Sequence, residues 1–320
     1  MAEAAPLVVT PEAPLPEGGG AEWFIGQGGA RLRGALLVPK AKPRGSIVLS
    51  SGRSEPIEKY FEVIGELTGR GFVVLVQEWR GQGLSHKDLP DRLKGHARGY
   101  GPYMADYDAL LAHFGPRLPK PWIAVGHSMG GCLTLLALAK GAARHFDACL
   151  LSAPMLGLRT GGIPRWAGQL LAGLNCLIGK SGDYVFGDPG TPFDDTFANN
   201  VLSSDPVRYA RARGQIAANR DLALGAPTYG WLDFAFKATG WLAQPQNLKS
   251  VQIPVVICSA EKDRLVPPEP QKAAAEALPK GRFIVMPGSE HEVMIETDQI
   301  RAPFWAAFDE LADAVAPVRT

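Results

Sequence analysis

The residues best suited to chemistry lie in one short run. Ser128 stands in Val125-Gly126-His127-Ser128-Met129-Gly130-Gly131, a Gly-x-Ser-x-Gly pattern. Apolar Trp122-Ile123-Ala124-Val125 precedes it, and helix-favouring Cys132-Leu133-Thr134-Leu135-Leu136-Ala137 follows. A strand, a sharp turn and a helix are the setting that presents a serine hydroxyl as a nucleophile. The turn is strained, so the neighbours two positions away must be small. The helix that begins there aims its first backbone N–H groups at the reacting centre.

A serine hydroxyl is a poor nucleophile at neutral pH and needs a base, itself oriented by an acid. Asp263 and His291 follow in the chain order Ser, Asp, His. Asp263 comes just after the predicted strand 255–259, and His291 just after the predicted strand 283–286. Sites in open parallel sheets form beyond the carboxyl ends of strands. Three candidates at three such ends therefore read as one Ser128–Asp263–His291 constellation. Glu261 is the alternative acid, closer to its strand. His291 is flanked by Glu290 and Glu292, which also suits a surface histidine. His127 adjoins the nucleophile, but the turn is expected to point its side chain away, as a packing or hydrogen-bonding residue. His86, His96, His113 and His145 read as solvated or locally bonded.

Attack on an ester puts negative charge on the carbonyl oxygen, which preorganised N–H donors must meet. The backbone N–H of Met129 is the first candidate. The N–H of Arg53, in Ser51-Gly52-Arg53-Ser54-Glu55, is the second, because Gly52 allows close approach of the backbone.

The elements that position these groups follow from hydrophobic period. Short β-branched runs (46–50, 72–76, 122–125, 148–151, 255–258 and 283–286) alternate with helical patterns over 57–67, 103–114, 268–278 and 299–315. Such alternation predicts an α/β fold with a mostly parallel central sheet and helices on both faces. A leading hairpin joins 23–25 to 30–38 through Gly26 to Gly29. Residues 155–250 break the rhythm and read as an inserted helical cap. The division expected is a flexible lead-in over 1–20, core over 21–154, cap over 155–250 and core again over 251–320.

Composition limits the function. Among 320 residues, 46% are apolar and 20% charged, and the net charge is +1, so no polyanion partner such as nucleic acid is implied. Cys132, Cys149, Cys176 and Cys258 lack close pairing and read as free thiols. No histidine pair has metal-ligand spacing, so neither a metal nor a cofactor is expected. The first twenty residues do not resemble a secretory signal, and no apolar run approaches the ~20 residues of a spanning helix. The expected address is the cytoplasm, with peripheral contact at the inner face of the membrane.

With these residues in view, the chain resembles the α/β-hydrolases of the lysophospholipase and monoacylglycerol lipase group, the bacterial lysophospholipases above all. The likeness covers nearly everything after residue 20. It rests on Gly52-Arg53-Ser54-Glu55 with Lys59-Tyr60, on Trp79-Arg80-Gly81-Gln82-Gly83-Leu84-Ser85, and on the Ser128 motif. Leu151-Ser152-Ala153-Pro154-Met155, Leu224-Gly225-Ala226-Pro227-Thr228-Tyr229, Gly288-Ser289-Glu290-His291-Glu292 and Glu296-Thr297-Asp298 extend it. Two positions depart from the monoacylglycerol lipases: Ser51-Gly52 stands where His-Gly is usual, and Glu78 where Asp is usual. The resemblance implies a serine hydrolase that cleaves the fatty-acyl ester of a lysophospholipid without a cofactor. A monoacylglycerol lipase or carboxylesterase is the alternative. An alternative of another class is a catalytically silent binding protein on the same fold.

An acyl chain needs an apolar slot, worth roughly 0.8 kcal/mol per buried CH₂. Trp166, Leu170, Leu174 and Leu177 recur at helical spacing in the cap, as do Trp231, Phe234, Ala238 and Trp241. These are the candidate acyl contacts. Packing against the core and contact with a membrane are the other readings of the same faces. The Arg53 side chain is a candidate partner for a substrate phosphate, with a structural ion pair to Glu55 or Glu58 as the alternative.

Overall fold

The computed structural model describes residues 3–318. Its strands are β1 (Ala4–Ala5), β2 (Gly19–Ile25), β3 (Arg31–Leu37), β4 (Gly45–Ser50), β5 (Phe72–Gln77), β6 (Trp122–His127), β7 (Ala148–Ser152), β8 (Val255–Ala260) and β9 (Gly281–Met286). They form one sheet in the order β1-β2-β3-β5-β4-β6-β7-β8-β9. The strands from β5 to β9 across the sheet run parallel. The leading hairpin β2–β3 and the short β1 are added antiparallel at one edge.

Both faces of β4 to β8 are covered, which is why they read as unbroken apolar runs, whereas β9 at the sheet edge is partly exposed. β4 to β8 are buried at every position. Alternate residues serve opposite faces, as the pleat requires. Val48 joins one apolar cluster, with Leu110 and Phe114 of α2 (Gly101–Phe114) and Leu133 and Leu136 of α3 (Ser128–Ala139). Ile47 and Leu49 join the other, with Val63 and Ile64 of α1 (Phe61–Gly69). The helix predicted over 57–67 opens as a 3₁₀ turn at Ile57–Tyr60 before α1 begins.

The lead-in expected to be flexible is laid against the core instead. β1 pairs with β2, the Val8 N–H donates to Glu58 Oε1 at 3.1 Å, and Leu7 and Leu15 pack on the α1 cluster. The spaced apolar residues and a buried acceptor supply what its Pro- and Gly-rich composition hides. Residues 1 and 2 of that segment lie outside the described residues.

Between β7 and β8 the chain carries α4 (Arg165–Leu177), α5 (Pro206–Ala218), α6 (Tyr229–Leu242) and α7 (Pro245–Leu248). α4 crosses α6 closely because Gly168 has no side chain. A Cβ there would stand 2.8 Å from Phe236 Cζ. Arg165 Nη2 ties the pair by donating to Phe236 O at 3.1 Å and Thr239 Oγ1 at 2.9 Å. α8 (Pro268–Ala277) and α9 (Asp298–Val315) complete the fold. Among the described residues, no helix is long and apolar enough to cross a membrane.

Candidate active site

Ser128 opens α3 with φ of 50°, the left-handed region that a side chain rarely adopts. Its neighbours make the turn sterically feasible. A Cβ on Gly126 would lie 2.8 Å from Gly131 Cα, and one on Gly130 would lie 2.3 Å from both Ser50 O and Ser51 O. The Ser128 carbonyl accepts the Met155 N–H at 2.9 Å, which links the turn to the segment that follows β7.

The loops after β8 and β9 bring Asp263 and His291 to this turn. His291 Nε2 lies 2.8 Å from Ser128 Oγ, and His291 Nδ1 lies 2.7 Å from Asp263 Oδ2. Asp263 Oδ1 accepts the N–H groups of Leu265 at 2.8 Å and Val266 at 2.9 Å. Burial pushes the Asp263 carboxyl up, but the hydrogen bond and charge of His291 with these two N–H donors outweigh it and hold the group below its ordinary value. Glu261, the alternative acid, turns elsewhere and accepts the Gly288 N–H at 2.7 Å. An Asp–His–Ser chain of this geometry can take a proton from the serine and return it to a leaving group.

The loop after β4 faces the turn from the other side. Trp79 Nε1 donates to Ser51 O at 2.9 Å, and the Ser54 N–H donates to Gln82 Oε1 at 2.7 Å. The run Trp79 to Ser85 thus braces this loop. Glu78 accepts the Ser85 N–H at 2.9 Å and pairs with Arg33, leaving no room for a Cβ on Gly83. The longer acid is thereby accommodated. Arg53 and Met129 both border the cavity at Ser128. Met129 lies in the first turn of α3, where N–H groups have no intrahelical partner.

His127 is a buried hydrogen-bonding residue, as expected, and its ring also lies beside that of His291. Its ring centroid is 4.8 Å from that of His291, its Nδ1 is 3.0 Å from Ser152 O, and its Nε2 is 3.7 Å from Glu55 Oε1. Burial pushes its pKa down to about 4, so the ring is neutral near pH 7.

A cavity of about 520 Å³ opens over Ser128. Of the predicted substrate contacts, Arg53 and Trp231 line it. Trp166, Leu170 and Leu174 do not: they face outward from α4 and are 69%, 54% and 52% exposed. The opposite side of that helix, with Gly168 and Leu171, borders the cavity. The spacing identified a face correctly but assigned it to the wrong side. Phe234 is spent in the core, its ring centroid 5.0 Å from that of Tyr103, and Trp241 lies under Lys140. Met155, Leu232 and Phe236 line the cavity and were not foreseen. Phe236 is offset from Leu232 by one helical turn, a signal available only once the inner face of α6 is known.

Arg53 has neither of the acid partners the sequence offered. Glu55 pairs with Lys59, and Glu58 pairs with Arg33. Arg53 Nη2 donates to Gly225 O, its guanidinium lies 5.4 Å from the Trp231 ring centre, and its Nε has no partner among the described residues. Burial pushes this guanidinium down to about 10.

Comparison with known proteins gives a consistent picture. A family model described as "Serine aminopeptidase, S33" matches residues 41–298. Lysophospholipase L2 of Escherichia coli K12 is 31% identical over 272 residues, covering 80% of this chain and 76% of its own. A probable lysophospholipase L2 of Haemophilus influenzae is 27% identical over 273 residues, covering 83% of each. Among solved structures, a monoglyceride lipase from Saccharomyces cerevisiae matches with a TM-score of 0.69 at 17% identity, over 92% of this chain and 96% of that one. A carboxyl esterase from Bacillus coagulans matches at 0.74 and 19%, over 93% and 99%. At such identities the structural matches speak to the α/β-hydrolase fold alone.

Proposed function

The chain belongs to the S33 serine aminopeptidase family of α/β-hydrolases and is an ester hydrolase, and from that premise we propose that it cleaves the single fatty-acyl ester of lysophospholipids through an acyl-enzyme. Ser128 Oγ attacks the ester carbonyl while His291 Nε2 takes its proton. Asp263 keeps the other ring nitrogen protonated and steadies the imidazolium. The N–H groups of Arg53 and Met129 receive the charge that develops on the carbonyl oxygen. Collapse expels the glycerol oxygen, protonated by His291. Water then repeats the sequence on the acyl-enzyme and releases the fatty acid.

The observation that carries this reading is the continuous hydrogen-bonded chain from Asp263 through His291 to Ser128 at the floor of an apolar cavity. The name printed for the bacterial relatives, lysophospholipase L2, supports the substrate class. Arg53 supports it too, because a guanidinium on the same cavity as the serine, with no acid partner among the described residues, suits a phosphate substituent that a monoacylglycerol lacks. The outward apolar side of α4, from Trp166 to Leu177, suits a seat on the lipid surface from which such a substrate is drawn.

Turnover of lysophosphatidylcholine, monoacylglycerol and a short p-nitrophenyl ester by wild type and Ser128→Ala tests the proposal. Lysophospholipid is expected to have the highest kcat/KM, and all three activities should vanish in the variant. Monoacylglycerol preferred tenfold or more over lysophospholipid would shift the reading to a monoacylglycerol lipase.

A further inference from the structure

Beside the serine, acid and histidine lies a buried charged cluster with no part in the mechanism above. Lys59, in the 3₁₀ turn before α1, extends its ammonium between two carboxylates. Its Nζ is 2.9 Å from Glu55 Oε1 and also donates to Glu292 Oε1. The three side chains are 10%, 4% and 6% exposed, so the contact is a desolvated one. Each carboxylate belongs to a loop that the reaction uses. Glu55 Oε2 accepts the Gly52 N–H and the Tyr60 hydroxyl, both at 2.5 Å, and so shapes the loop that carries the Arg53 N–H. Glu292 is the residue after His291, and its own N–H donates to Leu202 O of the cap at 2.7 Å.

We infer that Lys59 is a positioning residue: with Glu55 and Glu292 it forms a strut that holds the oxyanion loop and the His291 loop at a set separation. The inference rests on the reading of Ser128, His291 and the Arg53 N–H given above. Among the described residues no backbone hydrogen bond joins 51–55 to 288–292, and the side-chain strut ties those two loops instead. Gly52 is fitted to it. A Cβ there would lie 2.6 Å from Glu55 Oε2 and 3.1 Å from His127 Cδ2.

The charges make the strut directional. Glu55 has three donors, Lys59, the Tyr60 hydroxyl and the Gly52 N–H; burial pushes its carboxyl up, but the Lys59 charge and the Lys59 and Tyr60 hydrogen bonds outweigh it and hold the group below its ordinary value. Among the described residues Glu292 has Lys59 alone, and burial pushes its carboxyl above the ordinary range. The titratable groups facing Lys59 and these acids are Tyr60, His127, His291 and Tyr209. Without the ammonium, the two carboxylates repel once both are ionised, and the loops move apart. Displacement of reacting groups by ~1 Å can cost about a hundredfold in rate.

The test is steady-state hydrolysis of p-nitrophenyl butyrate by wild type, Ser128→Ala, Lys59→Met, Lys59→Arg, Glu292→Gln and the Lys59→Met/Glu292→Gln double variant. Lys59→Met should lower kcat roughly 10- to 100-fold with KM changed less than about threefold, the pattern of lost transition-state positioning. Its kcat should fall further at alkaline pH, where wild type stays level, and Lys59→Arg should recover most of the loss. The double variant should be no slower than Lys59→Met, because Glu292→Gln removes the repulsion. Wild-type kcat in a folded Lys59→Met, or multiplicative losses in the double variant, would overturn the inference. If Lys59→Met does not fold, Glu292→Gln decides: unchanged kcat overturns the strut, and a kcat loss at constant KM supports it. Activity retained by Ser128→Ala would instead remove the reading of the site on which the strut depends.

Discussion

Asp263→Asn is the substitution whose outcome the geometry specifies most closely. Asp263 Oδ1 accepts two backbone N–H groups, from Leu265 and Val266, while Oδ2 faces His291 Nδ1 at 2.7 Å. Asparagine has one acceptor and one donor end. The two N–H groups demand the acceptor, so the amide NH₂ must face His291. Nδ1 must then accept, and the ring proton moves to Nε2, 2.8 Å from Ser128 Oγ. An Nε2 that carries a proton cannot take one from the serine. The expected loss is about 10⁴-fold in kcat, or about 5 kcal/mol of barrier. Measurement of kcat on p-nitrophenyl butyrate, with the melting temperature to confirm a native fold, gives the answer. A folded variant within tenfold of wild type would refute the reasoning, because it would mean that the carboxylate does not set the tautomer.

Three other outcomes are expected. Arg53→Ala should impair lysophosphatidylcholine hydrolysis at least tenfold more than monoacylglycerol hydrolysis in a kcat/KM comparison, and equal losses on both would count against a phosphate contact. Leu170→Glu with Leu174→Glu should weaken sedimentation with anionic or zwitterionic vesicles while leaving turnover of a water-soluble ester unchanged; undiminished sedimentation would argue that α4 does not meet the lipid. His127 makes stability depend on pH: its folded value near 4 lies below the ordinary 6.5. Between these values the unfolded chain binds a proton that the folded one refuses, so stability should rise with pH over that window and level off above it. The contribution is on the order of 3 kcal/mol, and urea unfolding of wild type and His127→Asn from pH 4.5 to 8 should show the slope shrink in the variant.

The sheet was legible because its central strands are buried on both faces and carry a pure apolar signal. The elbow was legible because Gly126 and Gly130 leave no space for a side chain. Other elements gave weaker signals. α5 was missed, since Arg208, Arg211 and Arg213 crowd its sequence and the helix is held by an Asp205 cap and by Arg208 bonding to Glu62 and Asp298 rather than by an apolar stripe. In α4 the strongest apolar pattern, Trp166 to Leu177, faces outward, and small Gly168 and Ala172 mark the packed side. Periodicity identifies a face without saying what covers it. The cluster of Glu55, Lys59 and Glu292 could not be read as a unit, because Glu292 lies 233 positions from Lys59 in the chain and only the fold brings it to the Glu55–Lys59 pair.

The central claim is that Ser128 forms the acyl-enzyme with His291 as its base. The most direct measurement is peptide mass spectrometry after treatment with a fluorophosphonate probe. Stoichiometric modification of the peptide containing Ser128 is predicted, with labelling lost in Ser128→Ala and slowed by several orders of magnitude in His291→Ala. An unmodified Ser128 in protein that still hydrolyses esters, or labelling at the wild-type rate without His291, would contradict the account.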